Sequence, residues 1–271
     1  MKYLLTNSEQ NQVKEIVVSA GTQLIHMKGA KILGSKNLGH HHGIDIVTQA
    51  DLNTENFLRE RLTQQFPHIG FYSEETAKLA QKELKKELVW VVDPIDGTLM
   101  FSRGLPFYGI SLALMYQQKP VFGCIYLPEF SQLFWAMKNQ GSFCGRNRLY
   151  VSTTTKLDNW YFMGGIVGLS IPQEEKLWSI FIRNRLLVRG VSCAVFHLAH
   201  TTAGHYDMSL HINNALWDIA AGWILIEEAG GKVMITNTGD SKHLQDDPYH
   251  IWFLGGNKHA VNWLVPKLKN L

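Results

Sequence analysis

Leu88-Val89-Trp90-Val91-Val92-Asp93-Pro94-Ile95-Asp96-Gly97-Thr98 passes from an apolar run to two carboxylates, a proline, a glycine and a hydroxyl. An unbroken apolar run closed by turn residues reads as a strand buried on both faces. Its end delivers Asp93 from a rigid element into a loop. Pro94 fixes one backbone angle and donates no N–H. Gly97 and Thr98 read as the opening of a helix, where free N–H groups can face an anion. Two acids beside an anion site repel the anion unless cations sit between them. A metal-dependent phosphate site is the simplest resolution.

Upstream, Val13, Ile16, Val17, Ala20, Leu24 and Met27 recur at helical spacing behind Ser8 as the cap, and the helix should stop near Gly29. His40-His41-His42 reads as part of a solvated loop, because neighbours in sequence rarely converge on one ion. Residues 44–48 alternate as a short strand. Asp51 then sits where a cap would sit, ahead of a helix from Glu55 towards Phe66. Residues 69–72 form another short strand, ending in Ser73-Glu74-Glu75-Thr76. On its own that Glu pair reads as a helix N-terminus favoured by the dipole. Residues 78–87 are charge-dense and read as a solvated helix or arm.

Downstream, strands at 108–116, 120–126 and 132–137 with turn signals between them read as an antiparallel meander. After residue 150 the rhythm changes to alternating strands (161–167, 187–191, 206–210, 233–235, 251–254) and helices (174–186, 194–203, 218–229, 258–268). That alternation suggests a layered α/β half. The expected organisation is therefore an N-terminal half, 1–150, with the antiparallel sheet and most of the acids, and a C-terminal half, 151–271.

The chain has 271 residues, 45% of them hydrophobic, which is ample for a large core. Its 26 basic and 23 acidic residues leave a formal charge of +3, and no long basic run argues for a nucleic-acid polymer as partner. Cys124, Cys144 and Cys193 are far apart, which suits free thiols in a reducing compartment. No signal-peptide pattern opens the chain, and no apolar run approaches the roughly 20 residues that span a bilayer. The expectation is a cytoplasmic protein with no membrane partner.

In the second half, Trp217-Asp218-Ile219-Ala220-Ala221-Gly222 places an acid at a helix start, with small residues that let the helix pack close to a neighbour. Glu75, Asp93, Asp96 and Asp218 thus all fall at strand ends or helix starts. Hard oxygen donors of this kind suit Mg²⁺ or Mn²⁺, not zinc.

The order Glu74-Glu75, then Asp93-Pro94-Ile95-Asp96-Gly97-Thr98, then Trp217-Asp218-Ile219-Ala220-Ala221-Gly222 resembles the inositol monophosphatase family, magnesium-dependent, lithium-sensitive phosphomonoesterases. The resemblance spans most of the chain, including residues 45–51 and the Gly230-Gly231 turn. It implies an α+β fold, a layered α-β-α-β-α sandwich, and a homodimer acting on a small phosphate ester with two or three Mg²⁺ per site. By position, Glu75, Asp93 and the carbonyl of Ile95 would hold one Mg²⁺. Asp93, Asp96 and Asp218 would hold a second. Asp51 and Thr98 would orient and help deprotonate the attacking water, and Gly97 and Thr98 would offer N–H groups to phosphate oxygens. Asp218 would also face the substrate, and Glu74 would stand behind the ligands.

The haloacid-dehalogenase type, which attacks phosphorus with the first acid of Asp-x-Asp-Gly-Thr, is disfavoured: two residues separate Asp93 from Asp96, and the first is proline. Departures from the resembled pattern bear on substrate. His211 stands where the family carries a Glu that contacts substrate hydroxyls. A histidine there suits polyol hydroxyls or, at lower pH, a second phosphate; packing in the loop is the bland alternative. Met100 replaces an Asn, Ser73 a Gly, and His40 falls near a loop Lys. Inositol monophosphate is the first substrate expected. 3′-Phosphoadenosine 5′-phosphate, fructose 1,6-bisphosphate and histidinol phosphate are the alternatives, as is a catalytically weak regulatory member.

Overall fold

A computed structural model describes residues 5–35, 46–157, 160–166, 168–237 and 243–268. The histidine loop at 40–42 and Asp45 lie outside the described residues. The first helix, α1 (Asn7–Ile25), is capped by Thr6, not Ser8. The Thr6 N–H and hydroxyl both donate to the Glu9 carboxylate, at 2.7 and 2.8 Å. Strands β1 (Ile32–Ser35) and β2 (Ile46–Thr48) pair antiparallel as a small two-stranded sheet. Helix α2 (Gln49–Gln65) then starts six residues before Glu55. Its cap is Thr48, and Asp51 is the third helical residue, accepting from the Thr48 amide and hydroxyl at 2.7 Å each. This reciprocal capping box outcompetes a start at Asp51.

Seven strands form the large sheet: β3 (Gly70–Ser73), β4 (Leu88–Asp96), β5 (Gly109–Tyr116), β6 (Lys119–Leu127), β7 (Gln132–Met137), β8 (Gly141–Cys144) and β9 (Asn147–Leu149). The meander from β4 to β9 is antiparallel, as its turn signals suggest, while β3 lies parallel to β4 at the edge. Between β3 and β4, the charge-dense segment is a short helix, α3 (Ala77–Ala80), followed by a 3₁₀ turn. The remaining elements are α4 (Thr98–Ser102), β10 (Tyr161–Ile166), α5 (Ile171–Arg183), β11 (Leu187–Arg189), α6 (Ala194–Thr202), β12 (Met208–Asn214), α7 (Leu216–Glu228), β13 (Lys232–Asn237), β14 (Ile251–Gly256) and α8 (Lys258–Leu268). The five strands of this half form a mixed sheet ordered β11-β10-β12-β14-β13.

Three hydrophobic clusters stack these elements into five layers. Val13, Val17 and Leu24 of α1 and Leu58 and Leu62 of α2 meet Trp90, Val92, Leu112 and Phe122 on one face of the large sheet. Its other face, with Val89, Val91, Ala113 and Ile125, meets Leu198 of α6 and Ala220, Ala221, Ile224 of α7. Phe253 of the second sheet closes the same cluster. Leu177 and Phe181 of α5 and Val261 and Leu264 of α8 cover the outer face of that sheet, against Phe162, Leu210 and Leu254. The order is α-β-α-β-α. Successive residues of β4 enter opposite cores, as the two-residue period requires, so its run reads as continuously apolar.

Candidate active site

The site is assembled where β4 ends. The register of β4 on β5 slips between Asp93, opposite Ser111, and Asp96, opposite Gly109. Three steps on one strand therefore face two on the other, a β-bulge of one residue. In an unbroken strand, residues three apart point to opposite faces; the extra residue returns Asp96 to the side of Asp93. Pro94 lies inside the slip, where a missing N–H costs no ladder bond. Asp93 is buried, and its Oδ1 accepts from the Ile95 N–H at 3.0 Å. Gly97 follows with φ +85°, and a Cβ there would lie 2.6 Å from the Phe107 carbonyl oxygen. Both the left-handed backbone and the close approach demand glycine.

Asp218 arrives from the far side of the chain. It is the third residue of α7, and its Oδ2 accepts from the Ala215 N–H at 3.0 Å and the Asn214 amide at 2.9 Å. The preceding carbonyl, of Trp217, accepts from Ser111 Oγ at 2.9 Å, and Ser111 is the register partner of Asp93. One serine on β5 thus ties the α7 start to the β4 end. Small residues allow the approach: a Cβ on Gly123 of β6 would lie 3.0 Å from the backbone of Ala221.

Asp93, Asp96 and Asp218 each offer a carboxylate oxygen, all within 4.8 Å of one another. Asp96 also accepts from the Val195 N–H at the start of α6, at 2.6 Å. Burial pushes the Asp96 carboxyl up to about 6; these α6 bonds pull it back, and the charge of Glu74 adds to the rise. Asp218 is held well above the usual carboxylate range by burial, then by the charges of Asp96 and Glu74. Three like-charged oxygen donors squeezed together in a desolvated pocket fit a hard divalent cation, which removes the repulsion that raises them.

The charge of Glu74 reaches Asp96 and Asp218. Glu74 and Glu75 both lie half-buried on one 3₁₀ turn (Glu74–Thr76), and neither belongs to the cluster of three. Sequence spacing alone cannot tell adjacent residues on a tight turn apart. That turn is pinned by Thr76, whose hydroxyl bonds to buried Glu55 at 2.9 Å and accepts from Arg59 at 2.6 Å. Neither Glu55 nor Arg59 stood out in the sequence.

Thr98 begins α4, and its hydroxyl lies 3.0 Å from Asp51 Oδ1 and 2.9 Å from the Ile95 carbonyl. Asp51 Oδ2 is occupied by Thr48. Asp51, Thr98 and the trio therefore share one corner. His211 sits on β12, 1% exposed, lining a cavity of about 640 Å³ that Asp96 also lines. Cys193, at the α6 start, lines it too, its buried thiol pushed upward by burial and by the charge of Asp96.

Comparison with known proteins matches this arrangement to one family. A model described as the inositol monophosphatase family matches residues 9–265. The chain is 33% identical over 204 residues to an inositol-1-monophosphatase of Caulobacter vibrioides, covering 73% of this chain and 78% of that one. It is 32% identical over 213 residues to inositol monophosphatase 2 of Solanum lycopersicum, covering 74% and 78%. Its fold superposes with a TM-score of 0.79 on the crystal structure of the extragenic suppressor protein suhB of Bartonella henselae, at 26% identity over 97% and 99% of the chains.

Proposed function

The chain belongs to the inositol monophosphatase family of phosphoric monoester hydrolases, and we propose that it hydrolyses a small phosphate monoester, foremost myo-inositol monophosphate, with Mg²⁺ and water as the nucleophile. The convergence of Asp93, Asp96 and Asp218 carries this reading. Asp93, the Ile95 carbonyl and a glutamate of the 74–75 pair would hold one cation. Asp93, Asp96 and Asp218 would hold another, with Asp93 shared. The influence of Glu74 on Asp96 and Asp218 supports Glu74 as that glutamate. When bound, the cations supply charge against the phosphate and leaving oxygens and acidify a water.

The chain's own groups do the rest. With its hydroxyl proton directed to Asp51, Thr98 Oγ1 turns lone pairs outward to accept from a water. A proton leaving that water passes through Thr98 to Asp51, whose other oxygen stays fixed by Thr48. The N–H groups of Gly97 and Thr98 hold phosphate oxygens as negative charge grows. Family membership supports a cytoplasmic homodimer inhibited by Li⁺.

The test is phosphate release from inositol 1-phosphate, 3′-phosphoadenosine 5′-phosphate, fructose 1,6-bisphosphate and histidinol phosphate, with Mg²⁺ and with Mg²⁺ plus Li⁺. Lithium-inhibited release from inositol 1-phosphate supports the reading. Release from no ester by folded, Mg²⁺-bound protein would sink it, and release only from the nucleotide would move the substrate elsewhere.

A further inference from the structure

One face of α2 reaches two parts of the site. Asp51, Glu55 and Arg59 follow one another at four-residue steps, so their side chains lie along a single stripe of the helix. Asp51, at its head, bonds to Thr98 of α4. Glu55, one turn on and 2% exposed, meets the short turn that carries Glu74. Its Oε1 accepts from the Thr76 hydroxyl at 2.9 Å and from Arg59 Nη2 at 2.5 Å. Arg59 Nη2 also donates to Thr76 Oγ1 at 2.6 Å, which closes a triangle of three polar atoms. The Arg59 guanidinium lies 4.2 Å over the ring of Phe71, a buried residue of β3 two positions before Ser73. One side chain thus ties α2 to the strand that enters the turn and to the last residue of the turn.

A stabilising ion pair is the simplest use for such a group, and the geometry serves that use poorly. The second oxygen of Glu55, Oε2, is buried without a hydrogen-bond partner among the described residues. The Arg59 side chain is 33% exposed and reaches the carboxylate through Nη2, not through a two-pronged fork. A buried carboxylate oxygen left unbonded costs free energy, and apolar groups of similar volume would suit stability at least as well. What the triangle does supply is a fixed position. Neither Ser73 nor Thr76 caps the short helical segment that follows it with its side chain, so local sequence does little to hold the turn. Thr76 closes that turn two residues after Glu74, whose charge reaches Asp96 and Asp218.

We propose that Glu55 and Arg59 are positioning residues for the metal centre: through Thr76 they clamp the Glu74–Thr76 turn to α2, and so keep the Glu74 carboxylate ordered before a divalent cation binds. This rests on the reading above of Glu74 as a ligand. A carboxylate free to swing must be ordered when the ion binds, which weakens binding; one already held binds without that loss. Asp51 keeps its own bonds to Thr48 and Thr98 when the clamp is broken. Loss of the clamp therefore lowers affinity for Mg²⁺, while turnover at saturating Mg²⁺ stays close to wild type.

The experiment measures Mg²⁺ affinity by calorimetric titration, and kcat for inositol 1-phosphate at saturating Mg²⁺, in wild type, Thr76→Val, Thr76→Ser, Arg59→Lys and Glu74→Gln, with folding checked by circular dichroism. Thr76→Val keeps the shape without the hydroxyl and should bind Mg²⁺ about 10- to 100-fold more weakly, with kcat within about twofold of wild type. Thr76→Ser restores the hydroxyl and should regain most of the affinity. Arg59→Lys keeps the charge but not the planar fork that meets Glu55 and Thr76 together, and should weaken Mg²⁺ binding roughly tenfold. Thr76→Val combined with Glu74→Gln should lose no more than Glu74→Gln alone, because the clamp acts through Glu74. Unchanged Mg²⁺ affinity in folded Thr76→Val, or a full additional loss in the double variant, overturns the clamp and leaves the phosphatase reading intact. Unchanged affinity in Glu74→Gln overturns the ligand role on which the clamp rests. Absence of turnover in Mg²⁺-bound wild type overturns the phosphatase reading, and the affinity comparison still decides the clamp.

Discussion

At the scale of single residues, the roles proposed for Glu74 and Asp51, ligand and proton acceptor, can be separated by substitution. Glu74→Gln should weaken Mg²⁺ binding well over tenfold by calorimetric titration, while Glu75→Gln should change it by less than about threefold. Equal losses would return the ligand role to Glu75. Asp51→Asn should lower kcat by about 10²–10⁴ with Mg²⁺ affinity little changed, because it removes the proton acceptor and not a ligand. Asp93, Asp96 and Asp218 were legible in the sequence because a carboxylate at the end of a rigid element has few places to go. The turn that carries the glutamate pair is anchored through Thr76 by Glu55 and Arg59, a contact between segments that no local pattern encodes.

Elements reach the site by close approach. Gly123 on β6 faces α7, and a Cβ there would lie 2.7 Å from Ile224 and 3.0 Å from Ala221 backbone. Gly123→Ala should therefore cost about 1–3 kcal/mol, seen as a melting midpoint lower by several degrees. Turnover should fall as well, since α7 carries Asp218. A variant as stable and active as wild type would show that α7 has room to withdraw. The period of β4 and the small face of α7 were both readable, because burial on two faces and close helix packing leave compositional marks. The bulge at Pro94 was not, although it sets Asp93 and Asp96 on one side; a one-residue slip is a property of two strands together. The start of α2 was misplaced for a related reason: Thr48 reads as the end of a strand until its hydroxyl is seen to cap the helix.

For the whole molecule, the five-layer order was implied by family resemblance more than by periodicity, which gave the elements without their stacking. Burying histidines between layers has a consequence for pH. His197 and His200 have folded values near 4, below the unfolded value near 6.5. The unfolded chain therefore binds more protons in that window, and stability falls as pH drops from about 6.5 to 4, His197 alone accounting for on the order of 3 kcal/mol. Asp96 has the opposite sign. Its folded value near 6 lies above the usual 3.8, so protonation favours the folded state and competes with Mg²⁺. The rise in melting temperature given by Mg²⁺ should accordingly be large at pH 7.5 and shrink as pH falls through about 6. A Mg²⁺ effect independent of pH would place the ion away from these carboxylates. The most direct test of the account is Asp93→Asn, measured for Mg²⁺ affinity and for phosphate release from inositol 1-phosphate in the same preparation. A folded variant that loses both together is the expected result; turnover near wild type would show that Asp93 does not hold the reacting centre.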